Sequence, residues 1–163
     1  MFNITGQLCL AQRCRSDKGR HSFVGGGQYT CGPNVFLRCE ATRPYGSSEP
    51  HGNLVAGFLY DNVKAPLTLR FGNNPQALRW MSINGVLWNC EGMFLVQKPP
   101  TAQNFAFGHT GIHAMVFNRA LIIDSLEDGH IESWDRRVTP ESLYLEQLRE
   151  RLGSGAVRNI GYE

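Results

Sequence analysis

Short runs in which apolar and polar residues alternate recur along this chain at a nearly constant interval. Five of them can be laid over one another in a single frame. They begin, in order, at Leu10, Val35, Phe58, Val86 and Met115. Successive units are 23 to 29 residues apart. Repeats of this length that contain only brief β-prone segments are typical of a chain that winds into stacked coils.

Within the aligned units, an apolar phase alternates with a phase that tolerates charge. We expect the apolar phase to face the inside of the coils and the other phase to face solvent, because side chains alternate along a strand. The inward positions are Leu37, Tyr60, Trp88 and Phe117, and the outward positions are Arg38, Asp61, Asn89 and Asn118. Glycine- and proline-rich stretches between the β runs supply the corners, so each repeat is predicted to contain two or three strands.

The last inward position of the repeat predicts a column of small side chains. Cys14, Cys39, Asn62 and Cys90 occupy it, one in each of four coils. The five cysteines of the chain contain no pair at zinc-ligand spacing, and their number is odd. Small buried hydrophobic groups are therefore favoured over metal ligands or a disulfide framework, and Asn62 is expected to bond to backbone.

The sequence after Thr139 predicts a helix. Thr139 supplies an N-cap oxygen, Pro140 suits the first helical position, and leucines follow at helical spacing before Gly153. The apolar face of this helix is expected to cover the last coil. The predicted organisation is β-helix coils over residues 1–138, a capping helix over residues 139–153 and a tail over residues 154–163.

Composition limits the classes of partner. The chain has 163 residues, of which 42% are hydrophobic and 18% are charged, so it is long enough to bury a core. Its net charge of +2 is too small for the basic surface of a nucleic-acid-binding protein, so nucleic acid is not an expected partner. No run approaches the roughly 18 apolar residues of a membrane span, so no membrane association is expected.

The start of the sequence resembles neither a signal peptide nor a cap. Residues 1–6 lack a basic start and an apolar middle. Strand-like sequence begins almost at Met1, and we see no helix that would cover the first coil. We therefore expect this end either to continue into coils that the present sequence lacks or to be covered by self-association.

Five motifs occur in order along the chain. They are residues 19–24, 32–39, 59–63, 88–90 and 96–100. In this order and spacing they resemble a group of bacterial secreted proteins in the pectate-lyase-like superfamily, and the resemblance covers residues 2–153. It implies a right-handed, single-stranded parallel β-helix, here of about five coils, that matches the C-terminal coils of a longer protein. It also implies an extracellular or periplasmic location.

Three histidines and a tryptophan recur at close to coil spacing. These are His21, His51, Trp80 and His109, at intervals of 30, 29 and 29 residues. Exposed on one face, they would form a sugar-binding strip in which Trp80 stacks on a pyranose ring, and Arg20 or Arg79 binds a carboxylate. The alternative is that the histidines only satisfy backbone groups at turns and that Trp80 packs under a loop.

The resemblance also implies a chemistry. A β-helix lyase uses a basic side chain to remove the proton next to a uronate carboxylate. We therefore interpret His51, Arg70 and Asp61 as candidate catalytic residues, and Arg20, His21, Arg79, Trp80 and His109 as candidate substrate-binding residues. No coil carries a calcium-like group of acidic residues, so neither a metal nor another cofactor is expected.

Three hypotheses follow for the function. The first is a carbohydrate-active protein that binds an acidic polysaccharide and cleaves it by β-elimination, as a polysaccharide lyase does. The second is a carbohydrate-binding module without catalytic activity. The third is a structural or assembly module whose open coil stacks on another chain. The residues alone do not distinguish cleavage from binding.

Overall fold

The chain forms a β-solenoid of parallel strands with one helix at its C-terminal end. A computed structural model describes residues 1–26, 31–52, 54–72, 80–114 and 126–163. Short strands separated by tight turns wind through about four turns of the solenoid. The prediction of an all-β parallel β-helix with a C-terminal helix is confirmed.

The strands are short, with two to four residues each. In chain order they are β1 (Phe2–Ile4), β2 (Leu10–Gln12), β3 (Arg15–Asp17), β4 (Phe23–Gly25), β5 (Asn34–Leu37), β6 (Glu40–Thr42), β7 (Val55–Ala56), β8 (Phe58–Asp61), β9 (Leu67–Leu69), β10 (Ser82–Ile83), β11 (Val86–Trp88), β12 (Phe94–Val96), β13 (Phe105–Phe107) and β14 (His130–Glu132). The helix α1 spans Leu143–Asn159.

One six-stranded sheet, which we call the long sheet, runs the length of the solenoid. Its strand order is β14-β13-β11-β8-β5-β2, and every neighbouring pair is parallel. Four two-stranded parallel sheets form other faces, in the pairs β1-β4, β3-β6, β7-β10 and β9-β12. Each turn of the chain thus contributes one strand to the long sheet.

The register of the long sheet differs from the predicted frame by one residue in one turn. Val35 pairs with Leu59, and Leu59 pairs with Val86, so Phe58 lies opposite Asn34 and not opposite Val35. The next turn also comes earlier than predicted, because Val86 pairs with Phe105. The repeat unit predicted to begin at Met115 lies outside the described residues, apart from Ala114.

The interior of the solenoid is built from the middle residues of these strands. Phe36, Tyr60, Leu87 and Ala106 lie in one column and are fully buried in the main core. Tyr60 was correctly predicted to face inward. Leu37 and Trp88 were not, since they occupy the opposite face of the long sheet, together with Asp61. Phe117 and Asn118 lie outside the described residues.

The two remaining outward predictions had different outcomes. Arg38 is exposed, as expected for a polar residue at the end of a strand. Asn89 is buried, because its amide donates hydrogen bonds to the carbonyl oxygens of Val138 at 2.8 Å and Glu141 at 3.0 Å. The outer face of the long sheet at this position is therefore covered by a distant part of the chain.

The cysteine column is confirmed except at Asn62. Cys39 and Cys90 are buried in the main core and Cys14 packs against it. The one-residue shift puts Val63, which is fully buried, in the place predicted for Asn62. Asn62 instead occupies the preceding turn with a φ of 55°, and its amide donates to the carbonyl oxygen of Glu141 at 2.7 Å.

The helix begins and ends later than predicted. Its N-cap is Ser142, whose hydroxyl accepts from the backbone N–H of Leu145 at 3.2 Å, so Thr139 and Pro140 precede the helix. The helical assignment continues to Asn159 across a kink at Gly153, where φ is 78°. The predicted tail over residues 154–163 is therefore largely helix.

The helix does not cap the end of the solenoid. Residues 138–163, which we call the C-terminal segment, run back along the outer face of the long sheet. Leu145 and Val157 pack with Leu37 of β5 in a second apolar cluster. At the end of the segment, Tyr162 lies under the guanidinium groups of Arg13 and Arg38, at 4.8 and 5.0 Å from the ring centre. The outer face is apolar because this segment covers it. No helix among the described residues is long and apolar enough to cross a membrane.

Candidate functional site

A cleft on the side of the solenoid collects several of the predicted site residues. Its volume is about 450 Å³, and its walls come from four successive turns. The charged and polar groups that line it are Arg20, His21, Tyr45, Ser47, Glu49, His51 and Arg70. Of these, Arg20, His21, His51 and Arg70 were predicted to belong to the site. We call this pocket the histidine cleft.

Parallel stacking of the turns brings these residues together. His21 lies two residues before β4, and Gly25 at the end of β4 forms a parallel bridge with Pro50. Glu49 and His51 flank Pro50, and Arg70 follows β9 directly. Side chains at corresponding places in neighbouring turns therefore lie about one strand spacing apart, roughly 4.8 Å.

Glu49 is the buried acid at the floor of the cleft. It is 1% exposed, and both of its oxygens accept from Arg70, at 3.0 Å from Nε and 3.2 Å from Nη2. The hydroxyls of Ser47 and Thr68 donate to Oε2. Burial alone would raise the pKa of Glu49, but the hydrogen bond from His51 and the charge of Arg70 lower it to about 2. Glu49 is therefore a carboxylate at neutral pH.

The hydrogen bonds of the two histidines determine which ring nitrogen carries the proton. Nδ1 of His51 lies 3.1 Å from Oε1 of Glu49, and Nδ1 of His21 lies 2.7 Å from the carbonyl oxygen of Ser47. Carboxylate and carbonyl oxygens can only accept, so each Nδ1 must donate. In the neutral rings, each Nε2 is then left as a free base. The ring centres are 5.0 Å apart.

The same residues are the one group of potential metal ligands among the described residues. One ligand atom from each of His21, Glu49 and His51 can be chosen so that the three lie within 4.8 Å of one another. A cation there would compete with Arg70, which already occupies both oxygens of Glu49, and it would be repelled by the guanidinium charge. The geometry therefore favours an imidazole–carboxylate pair over a metal centre.

Arg20 supplies an unpaired positive charge at the mouth of the cleft. Its side chain is exposed, and it forms no hydrogen bond or ion pair with any other described residue. Tyr45 lies beside it in the cleft wall and is 74% exposed. A guanidinium with free donors beside an exposed aromatic ring suits a ligand that carries both a carboxylate and an apolar ring face.

Asp61 does not belong to the cleft, which corrects the prediction that it is catalytic. It is fully buried under the C-terminal segment. Its Oδ2 accepts from the hydroxyl of Ser142 and from the backbone N–H of Tyr144, both at 2.8 Å. Burial raises the pKa of Asp61 in spite of these hydrogen bonds. Asp61 holds the start of α1 against the long sheet and has no access to a substrate.

His109 is also misplaced by the prediction, because it lies inside the solenoid. It is 1% exposed and stacks on Phe94, with the ring centres 4.1 Å apart. Its Nε2 lies 3.0 Å from the carbonyl oxygen of Gly92. Burial lowers the pKa of His109 to about 4, so the ring is neutral at pH 7.

The predicted tryptophan does not line the histidine cleft. Trp80 is half-buried and packs edge-on against Phe71, with the ring centres 5.5 Å apart. This agrees with the alternative that it packs under a loop. Arg79, its predicted neighbour in the strip, lies outside the described residues.

Glu49 is the residue of the cleft that the prediction missed. The sequence places it two residues before His51, and side chains two apart in an extended segment lie on the same side. That spacing was the available signal for a carboxylate–histidine pair. A search for clusters of several acids within one coil passes over it, because Glu49 has basic partners instead.

No family model, no curated protein and no solved structure matches this chain. The resemblance to the pectate-lyase-like superfamily therefore stays a prediction, with which a parallel solenoid agrees.

Proposed function

We propose that the histidine cleft binds an acidic polysaccharide and that His51 promotes its cleavage by β-elimination. The observation that carries this proposal is the pair formed by His51 and Glu49. A carboxylate that stays ionised in a buried position fixes the imidazole in the form whose outer nitrogen is a free base. That nitrogen opens onto a cleft with an unpaired arginine.

The shape of the cleft suits an extended chain. Its lining residues come from four successive turns, from His21 in the first to Met93 in the last. A ligand lying along the solenoid axis can contact all of them, whereas a compact ligand would occupy only one or two turns. Arg20 then binds one uronate carboxylate through a charge-assisted hydrogen bond.

The proposed proton transfers use the two free Nε2 atoms. In β-elimination, a base removes the proton on the carbon next to the uronate carboxylate, and the bond to the leaving oxygen then breaks. His51, which is 54% exposed and backed by Glu49, acts as the base. His21, whose ring is stacked beside that of His51, delivers a proton to the leaving oxygen when it is in its protonated form.

Arg70 has a positioning role in this scheme. Its side chain is 11% exposed and both of its hydrogen bonds to Glu49 are made inside the protein. It is therefore not free to bind a substrate carboxylate. Its charge keeps Glu49 ionised, and through Glu49 it orients His51.

The test is the release of unsaturated uronate from a panel of uronate-containing polysaccharides, measured by its ultraviolet absorbance. We expect His51→Ala to lose at least about a hundred-fold in rate, as expected for loss of a general base. His130→Ala is the matched control, because His130 is also an exposed histidine beside a glutamate, with Nε2 3.2 Å from Glu132. The control should retain full activity.

Two results would contradict cleavage. If no polysaccharide yields the unsaturated product but a glycan array shows binding that Arg20→Ala abolishes, the protein is a binding module without catalytic activity. If neither cleavage nor binding occurs and the protein self-associates in light scattering, the assembly hypothesis replaces both.

A further inference from the structure

Two cysteines of the interior column face each other across neighbouring turns. Gln12 pairs with Leu37 in the long sheet, and Arg15 pairs with Glu40 in the next sheet, so Cys14 and Cys39 stand in register between the two pairs. The backbone N–H of Glu40 donates to the carbonyl oxygen of Cys14 at 2.9 Å, which holds the two turns together at this point.

This register gives a separation that suits a disulfide. Parallel neighbours lie about 4.8 Å apart, and the Cα atoms of natural disulfides are about 4.4 to 6.8 Å apart. The residues before the two cysteines, Arg13 and Arg38, have matching left-handed conformations with φ of 53° and 50°. The two turns therefore present their cysteines in the same direction.

The thiol of Cys39 leans towards the turn that contains Cys14. Its Sγ lies 3.7 Å from the carbonyl oxygen of Ala11, in that neighbouring turn, while Sγ of Cys14 lies 3.5 Å from the carbonyl oxygen of Gln12. Cys14 is half-buried and Cys39 is buried. One member of the pair is thus accessible to a reagent and the other is protected.

We propose that Cys14 and Cys39 are an oxidation site that forms a disulfide with small-molecule disulfides such as oxidised glutathione. The thiolate of Cys14 attacks one sulfur of the reagent, giving a mixed disulfide and releasing one small thiol. Cys39 then loses its proton and attacks the sulfur of Cys14, which releases the second small thiol. Two protein thiols are oxidised and one small disulfide is reduced to two thiols. This inference is independent of the proposed function.

The third cysteine of the column provides a contrast within the same chain. Cys90 occupies the equivalent place two turns further on, and its Sγ likewise reaches the neighbouring turn, 3.1 Å from the carbonyl oxygen of Tyr60. The residue opposite it is Val63, so no bridge can form there. Burial raises the pKa of Cys90 to about 12, which also protects it from reaction.

The experiment incubates the folded protein with oxidised glutathione, blocks the remaining thiols and maps the peptides by mass spectrometry. We expect one intramolecular bridge joining the peptides that contain Cys14 and Cys39, with the loss of two titratable thiols and a rise in Tm that dithiothreitol reverses. Cys14→Ser should abolish both, and Cys90→Ser should change neither.

Because Cys39→Ser alters the core, Cys14→Ser is the deciding variant. The proposal is overturned if the folded protein gives a stable mixed disulfide on Cys14 that never resolves onto Cys39. It is also overturned if the bridge joins Cys9 and Cys31, or if the gain in Tm persists in Cys14→Ser.

Discussion

His109 should control how stability depends on pH between neutral and mildly acidic conditions. Its Nδ1 is buried and has no hydrogen-bond partner among the described residues. Burial lowers its pKa from 6.5 to about 4. The unfolded chain binds the proton more readily than the folded protein does. Stability is therefore present in full above about pH 6.5 and is lost as the pH falls towards 4.

The expected loss is large relative to the stability of a small domain. One pKa unit corresponds to about 1.4 kcal/mol, so the shift from 6.5 to about 4 is worth about 3 kcal/mol in total. Roughly 2 kcal/mol of this should be lost between about pH 7.5 and pH 5. Glu49 contributes little in that interval, because its own loss begins only below about pH 4.5.

The assay is urea unfolding followed by tryptophan fluorescence at the two pH values. In His109→Phe, the pH-dependent loss should fall by about 2 kcal/mol, because phenylalanine keeps the stacking on Phe94 but cannot be protonated. Glu91, Asp135 and His113, which act on His109 electrostatically, remain in the variant. Any constant cost of the larger ring cancels when one variant is compared at two pH values.

The matched control is His130→Phe, which replaces an exposed histidine. It should keep the pH dependence of the wild type. The reasoning is refuted if His109→Phe loses as much stability between the two pH values as the wild type does, since the buried imidazole would then not be the group that binds the proton.

Two further predictions concern the cleft and the C-terminal segment. Glu49→Gln should lower the free energy of unfolding at pH 7 by about 3 kcal/mol, because Arg70 is left nearly buried without a counter-charge. The wild type should lose this contribution as the pH falls from about 4.5 towards 2, and an acid titration of the variant that still showed the loss would contradict it. Ser142→Ala should cost about 1 to 2 kcal/mol in urea unfolding, since the hydroxyl both caps α1 and donates to buried Asp61; an unchanged midpoint would show that neither bond matters.

The winding of the chain could be predicted from its spacing, but the phase of one turn could not. In residues 57–62, Phe58, Leu59 and Tyr60 are all apolar, so alternation gives no indication of which of them face inward. Both faces of the long sheet are apolar there, because the inner face packs in the core and the outer face lies under the C-terminal segment. A pattern of period two identifies a face only where the other face meets water.

Half of the candidate site followed from the same spacing. His21 and His51 do meet, because the turns between them keep a regular length. His109 does not join them, because the turn from Val86 to Phe105 is only 19 residues long, which moves His109 to the interior place equivalent to Cys90. The role of Asp61 depends on Ser142, about eighty residues away, and no local pattern carries that contact.

The return of the C-terminal segment along the long sheet changes how this solenoid should fold. In a simple stack each turn touches only its neighbours, so unfolding can start at one end and proceed turn by turn. Here Gln12 and Arg13 of the first turns donate hydrogen bonds to the carbonyl oxygens of Ile160 and Gly161. Contacts across nearly the whole chain make ordering of the first turns depend on the last residues. The protein should therefore unfold as one cooperative unit, and during synthesis its first turns should remain loosely ordered until the final residues have left the ribosome.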